Sequence, residues 1–318
     1  MNQGIDTTLQ RSLAELEAQR KDLSSSKLKS YACIAIGLAL VACGFLVSDL
    51  FLAGAISGAI VLIFGFILLS KAAAKFNDYR HEYKHRVIGV ALKSIDDSLV
   101  LQYDSGLSER QFINSQLFTQ RPDRYDSQDQ VYGTAGKTNF SFSEVHAEYK
   151  TVTQTKNGKQ EHWHTILRGI VFCADFNKNF NGITVVRPKD VGAAIGAWIS
   201  RNIPVFSSGS DVVNLENPEF VKTFLTHSTD QVEARYILTP AMMDRLCELN
   251  DKAKETISVS FIDTSVYLAF PLSKDYFEPP VFKTLLEPTF LEEDLTVIRF
   301  MYNIIHELDL NTRIWGKA

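Results

Sequence analysis

Two uncharged apolar runs constrain this chain most. Ser30 to Ser48 and Leu50 to Ser70 hold no charged side chain, and Asp49 is the single charge between them. About 20 apolar residues in a helix cross the hydrocarbon core of a bilayer, so each run is long enough to span it. The break at Ser48-Asp49 leaves no room for a domain on the far side, so residues 30–70 are expected to form a tight transmembrane hairpin. A bent, buried helix pair in a soluble protein is the competing account, but the apolar length exceeds what such helices carry. A cleaved leader is not expected. The first run starts after 30 mostly polar residues, and a second run follows where a mature domain would begin.

The flanks set the expected orientation. Lys27 and Lys29 precede the first run, and Lys71, Lys75, Arg80, Lys84 and Arg86 follow the second. Positive residues favour the cytoplasmic side, so both termini and everything after residue 70 are expected there. Residues 1–93 hold 11 basic and 7 acidic side chains, whereas the remainder holds 22 and 30. That acidic remainder has no basic excess with which to hold nucleic acid. Four cysteines are too few for a disulfide framework. Cys173 and Cys247 suit a reducing compartment. Neither span carries a charged residue, which argues for an anchor rather than an ion or proton pathway.

Gly54, Gly58 and Gly65 fall within about 40° of one another on a helical wheel, and Gly37 and Gly44 share a face of the first span. Such small-residue faces let helix backbones approach closely. They serve either packing of the hairpin on itself or dimerisation. Ahead of the hairpin, Leu9, Leu13, Leu16 and Leu23 recur at helical steps. After it, Phe76, Tyr79, Tyr83, Val87 and Val90 do the same. The expected organisation is an N-terminal amphipathic helix (1–29), the hairpin (30–70), a juxtamembrane helix pairing with the first as a stalk (71–99), a polar linker (100–135) and a cytoplasmic domain (136–318). The hairpin places membrane lipids among the partners.

Within the linker one short helix is expected near 108–118. Strands are expected over 138–152 and 161–174 around an Asn157-Gly158 turn, then over 183–186 after Asn181-Gly182. Helices are expected over 190–201 and 218–224, the latter capped by Asn217 with Pro218 in its first turn. Asp230 and Glu233 have capping-box spacing. Thr239-Pro240 opens another helix, residues 257–262 and 266–270 form a strand pair, and an amphipathic helix from Leu291 to Leu308 closes the fold. Strands and helices in this order make an α+β domain on an antiparallel sheet.

The strings Phe142-Ser143-Glu144-Val145-His146-Ala147-Glu148, Ala174-Asp175-Phe176-Asn177-Lys178-Asn179-Phe180, Asp230 to Pro240 and Leu310-Asn311-Thr312-Arg313-Ile314-Trp315 closely resemble the bacterial domain-of-unknown-function family 3137 over roughly residues 130–316. The resemblance implies a bacterial inner-membrane location. It transfers no catalytic residue, and it points to a LemA-type membrane protein as a partner.

No catalytic motif is complete. Gly133-Thr134-Ala135-Gly136-Lys137-Thr138 lacks the spacing of a phosphate loop and runs into a strand pattern rather than a helix. Asp175, Asn177, Asn179 and Asn181 are spaced like the start of a calcium loop, but Phe180 and Val186 stand where Gly and Glu are needed. His162 and His164 project to one strand face and are the only weak metal candidates. A two-residue Asn157-Gly158 turn would set them opposite Thr153 and Thr151, neither a good zinc ligand. No cofactor is expected. Two functions remain open: a membrane-anchored interaction or scaffold protein, self-associating or bound to another protein, and a membrane-proximal enzyme whose site is assembled from distant strands.

Overall fold

The computed structural model describes residues 3–46, 51–155, 158–176, 178–189 and 212–310. It is an α+β protein made of two compact units. One comprises residues 1–94 and 277–295, and the other comprises 95–276 with 296–318.

The first unit is a long helical hairpin, with α1 over Gln3–Leu46 and α2 over Phe51–Tyr83. Both helices are long and apolar enough to cross a membrane. The turn at Ser48-Asp49 lies outside the described residues. Leu9, Leu16, Leu23, Ser30, Gly37 and Gly44 are the buried seam of α1, each seven residues after the last. Gly58, Gly65, Ala72 and Tyr79 repeat the same step on α2. A strict seven-residue repeat drifts against the 3.6-residue turn and is taken up by left-handed supercoiling. The seam is lined by leucine and tyrosine in the charged half of the hairpin and by glycine, alanine and serine in the apolar half.

The glycines are used within the hairpin. A Cβ on Gly54 would lie 2.6 Å from Gly44 Cα, and one on Gly58 would lie 2.5 Å from Val41 Cγ2 and 2.9 Å from Gly37 O. Gly65 faces Ile34 in the same way. Of the two uses open to this face, intramolecular packing is the one seen. Nearer the termini Lys75 pairs with Asp22 at 2.7 Å and Arg86 with Glu15 at 2.5 Å.

After Tyr79 the seven-residue step ends. A π-helical turn, Lys84–Ile88, leads into α3, Gly89–Ile95. One extra residue in the turn swings the inner face round, so Val87, Ile88, Ala91 and Leu92 are buried instead of the expected Val90. It also buries Lys84, whose Nζ lies 2.7 Å from Glu278 Oε1. Glu278 opens a strap, residues 277–287, that returns from far along the chain to this unit. Tyr79 Oη donates to Pro280 O at 3.0 Å, and Arg20 Nη1 donates to Val281 O at 2.8 Å. Leu285 N donates to Glu17 at 3.0 Å, and Phe277 N donates to Asp294 at 3.3 Å. The Arg20 guanidinium beside Glu17 holds that carboxyl below its usual range. Burial pushes the Tyr83 hydroxyl, beside Asp294, well above its own.

The second unit is built on one eight-stranded antiparallel sheet. Its strands are β1 (Val100–Gln102), β2 (Arg124–Ala135), β3 (Thr138–Thr155), β4 (Gly158–Asp175), β5 (Thr184–Pro188), β6 (Phe224–Ser228), β7 (Ser258–Ile262) and β8 (Ser265–Pro271). Their order is β1-β2-β3-β4-β8-β7-β5-β6. Helices α4 (Glu109–Asn114), α5 (Pro218–Thr223), α6 (Gln231–Ile237), α7 (Pro240–Lys252) and α8 (Pro288–Glu307) complete it. Residues 288–295 of α8 group with the helical unit.

Several expectations change. Residues 100–135 hold β1, α4 and β2, so this stretch is sheet rather than linker. The unit begins at residue 95 and leaves out the strap, so 136–318 is not one body. β4 and β5 are not neighbours, so the strand that follows Asn181-Gly182 does not pair with the strand before it. The helix expected over 190–201 lies outside the described residues.

One sheet face packs Val145, Ala147, Leu167, Val171 and Ala269 against Leu107, Phe112 and Leu117 from the α4 region. On the other face Phe140 meets Tyr302 edge-on, and Phe270 meets Phe300. Gly169 lets β4 and β8 meet, because a Cβ there would lie 2.0 Å from Phe270 O.

The seam yields a direct test. In a chain stripped of its four native cysteines, Glu15→Cys with Arg86→Cys is expected to crosslink within one chain. Adding Gly54→Leu and Gly58→Leu is expected to reduce that product several-fold on denaturing gels, since each new side chain enters space held by backbone of the facing helix.

Candidate functional site: a charged sheet face and its projecting arm

The face of β2–β4 opposite the α4 core is charged where α8 does not cover it. Asp126 is paired across the strands with His146, and His146 with Arg168, so all three side chains share one face. Arg168 grips Asp275 with two bonds of 3.2 and 3.0 Å. Tyr276 N donates to the buried Glu144 carboxylate at 2.6 Å. Between these groups lies a cleft of about 90 Å³, bordered by Asp126, Glu144, His146, Lys274 and Asp275. That is far below the roughly 300 Å³ at which small-molecule pockets begin.

The charged row continues outward. His146 Nε2 lies 3.6 Å from Glu148, Glu148 lies 3.0 Å from Arg124, and the Arg124 guanidinium sits 4.1 Å over the Trp163 ring. Trp163 belongs to an arm. β2 stops pairing at Glu148, and β8 starts only at Gly169. From Tyr149 to Thr165, β3 and β4 therefore pair with each other and with no further strand. At 3.3 Å per residue the ribbon projects about 23 Å. Nearly all of its described residues are exposed or half-exposed, including Val152 at 52% and Trp163 at 39%.

A lone two-stranded ribbon is marginal in water, and the sequence of this one compensates. Thr151, Val152, Thr153, Thr155 and Thr165 are β-branched residues that suit a pleated strand. Lys150 and Glu161 pair at 3.0 Å. Tyr149 and His164 stack at 4.9 Å, and Thr151 Oγ1 lies 2.9 Å from His164 Nε2.

His162 and His164 do share one exposed face of this arm, but their neighbours differ from those expected. Thr155 pairs with Gly158, so His162 stands opposite Thr151 and His164 opposite Tyr149. Asn157 lies outside the described residues. Among the described residues no group of three or more His, Cys, Asp or Glu is placed to hold a metal ion. The sulfurs are not activated: burial pushes both the Cys173 and the Cys247 thiols up to about 11. Gly133–Thr138 is the tip of the β2–β3 hairpin, paired strand apart from the turn at Gly136-Lys137, where Gly136 has φ 65°.

Two of the resemblance strings meet elsewhere in this unit. The Asp230 side chain caps α6 through Val232 N and Glu233 N. Glu233 does not close a capping box. Its carboxylate instead accepts from Asn181 N at 3.2 Å and Gly182 N at 2.8 Å, and pairs with Lys178 at 3.3 Å. Lys178 in turn lies over the rings of Tyr236 and Phe180. The spacing that imitates a calcium loop is thus occupied by a structural knot, with Asn177 outside the described residues.

Residues 165–310 match the family described as "Protein of unknown function (DUF3137)", so the resemblance drawn from the strings holds over the later strands and helices. The string at 142–148 lies ahead of that match. No curated protein matches the chain. Among solved structures, the crystal structure of the mycobacterial trehalose monomycolate transport factor A, TtfA, is 11% identical over 72% of this chain and 95% of that one, with a TM-score of 0.36.

Two outcomes follow from this geometry. Glu233→Ala strips two backbone donors and a lysine of their acceptor, and is expected to cost about 3 kcal/mol. For a unit of this size that lowers Tm by roughly 6–12 °C, readable by circular dichroism. Shortening the arm so that Thr151 to His162 are replaced by an Asn-Gly turn removes no core contact. It is expected to shift Tm by less than about 2 °C.

Proposed function

We propose that this chain is a membrane-anchored accessory protein that works by binding another protein through the arm and charged face of its sheet unit. The hairpin spans the bacterial inner membrane twice, with both termini in the cytoplasm. The observation that carries this reading is the β3–β4 arm, an ordered ribbon with two open edges that covers no core of its own. Open strand edges are normally blunted or buried, and a long one held ordered by cross-strand pairs fits a surface kept for a partner. The flanking lysines support the orientation through the positive-inside rule. A LemA-type membrane protein is the partner suggested by the family resemblance.

Reporter fusions test the anchor. Fusions after Lys29 and at the C-terminus are both expected to report the cytoplasm, and a periplasmic C-terminus would refute the orientation. A photocrosslinking side chain at Gln160 is expected to trap protein in cells, whereas one at Ser98, away from the arm in sequence, is not. Equal labelling from both positions would refute the arm as the binding surface.

A further inference from the structure

We infer that the arm's partner is a second copy of this chain, and that the arm of each copy docks on an acidic helix face of the other. This rests on the reading of the arm as a protein-binding surface and goes further by naming what it binds.

Charge is the first argument. Residues 94–318 carry eight more acidic than basic residues, but the arm runs the other way. Over residues 149–165 it holds three lysines and two histidines against one glutamate. A basic arm on an acidic unit is complementary to that same unit. The acidic charge is concentrated, moreover. On α7, Asp244, Glu248 and Asp251 recur at steps of four and three, which aligns them on one helix face, and Glu255 follows three residues after the helix ends. All four are exposed, and Glu219 of α5 is exposed too. Glu219, Asp244 and Asp251 lie close enough together that all three bear on the Cys247 thiol.

Three cations on or just after α7 are engaged elsewhere. Arg245 binds Asp309 at 3.0 Å, Lys252 binds Glu307 at 2.5 Å, and Lys254 reaches the Tyr276 hydroxyl at 3.4 Å. Glu219, Glu248, Asp251 and Glu255 make no ion pair among the described residues.

Other occupants fit less well. Two arms pairing edge to edge would set like charges together, and lysines on a ribbon edge oppose such pairing. A bilayer surface would attract the lysines, but Trp163 is already clasped by Arg124 at 4.1 Å and Lys150 at 5.6 Å, and Tyr149 is stacked on His164, instead of either ring being free to insert. Reciprocal docking of arm on helix face closes as a two-fold dimer and needs no further copies.

The test uses the full chain in detergent or nanodiscs. Two differently tagged versions are mixed, one with Gln160→Cys and the other with Glu248→Cys, in a background lacking native cysteines. A disulfide between the two tags is expected, falling at least fivefold between 0.1 and 0.5 M salt. Lys150→Glu with Lys159→Glu on the arm is expected to cut it about tenfold. Glu219→Lys with Asp251→Lys on the other chain is expected to do the same, and mixing these two charge-reversed chains is expected to restore it. The inference is overturned by a disulfide indifferent to both reversals, or by failure of the mixed reversals to restore it. It is also overturned if the arm variant instead loses binding to phosphatidylglycerol vesicles while the inter-tag disulfide is unchanged. If the arm reversals leave the disulfide unchanged but abolish photocrosslinking from Gln160 to a different protein, the arm remains a binding surface and self-association alone is refuted.

Discussion

Close approach of two helices along a seven-residue seam is the constraint on which the helical unit depends. In the apolar half, which is long and apolar enough to cross a membrane, a bilayer would offer no hydrophobic drive for the helices to pair, and contact there comes from backbone meeting backbone. Glycine at positions 37, 44, 54, 58 and 65 allows that. In the charged half, burial of leucine and tyrosine supplies the drive from water. One spacing thus serves two solvents by changing residue size and keeping the period. A helix pair that stays in register across that change carries its alignment from the apolar half into the stalk.

The strap depends on that alignment. Its carbonyls and amides are met by Glu17 and Arg20 from one helix and by Tyr79 from the other. No single helix could satisfy them. The π-helical turn adds Lys84 to the set by rotating it inward, where an unbroken α-helix would have kept it on another face. A buried lysine is costly unless paired, and Glu278 pairs it. The irregularity in the helix and the acid in the strap therefore explain each other.

Much of this was legible in the residues and some was not. The hairpin, the β3–β4 ribbon, the caps at Asn217 and Thr239 and the closing helix follow from apolar length, alternation and capping chemistry. The seven-residue spacing was available too, since Leu23, Ser30, Gly37 and Gly44 continue Leu9 and Leu16. A change from large to small residues hides a period from any scan based on hydrophobicity. β2 escaped because Asp126, a poor strand former, is held in the sheet by pairing with His146 and by facing the charged cleft, and because Asp129 sits at a register shift with φ 56°. β6 escaped because Phe224 follows α5 with no turn residue to separate them. The histidine register shifted because Gly158 is itself a paired strand residue, opposite Thr155, and not part of the turn. Glu233 had the spacing for a local role, but the backbone donors it accepts from proved to be more than 50 residues away in sequence, which no local pattern encodes.

The strap also changes what counts as a separable piece of this protein. A fragment beginning near residue 100 would keep residues 277–295 yet lose the groups of α1, α2 and the π-helical turn that receive them. Phe277 and Leu285, both buried here, would meet water. The amide of Leu285 would lack its acceptor, and Glu278 would have no lysine. Such a fragment carries a sticky, unsatisfied segment between two well-folded parts, and its aggregation would say nothing about the sheet. The piece that corresponds to a real boundary is discontinuous, with the strap replaced by a short polar bridge from Tyr276 to the later turns of α8.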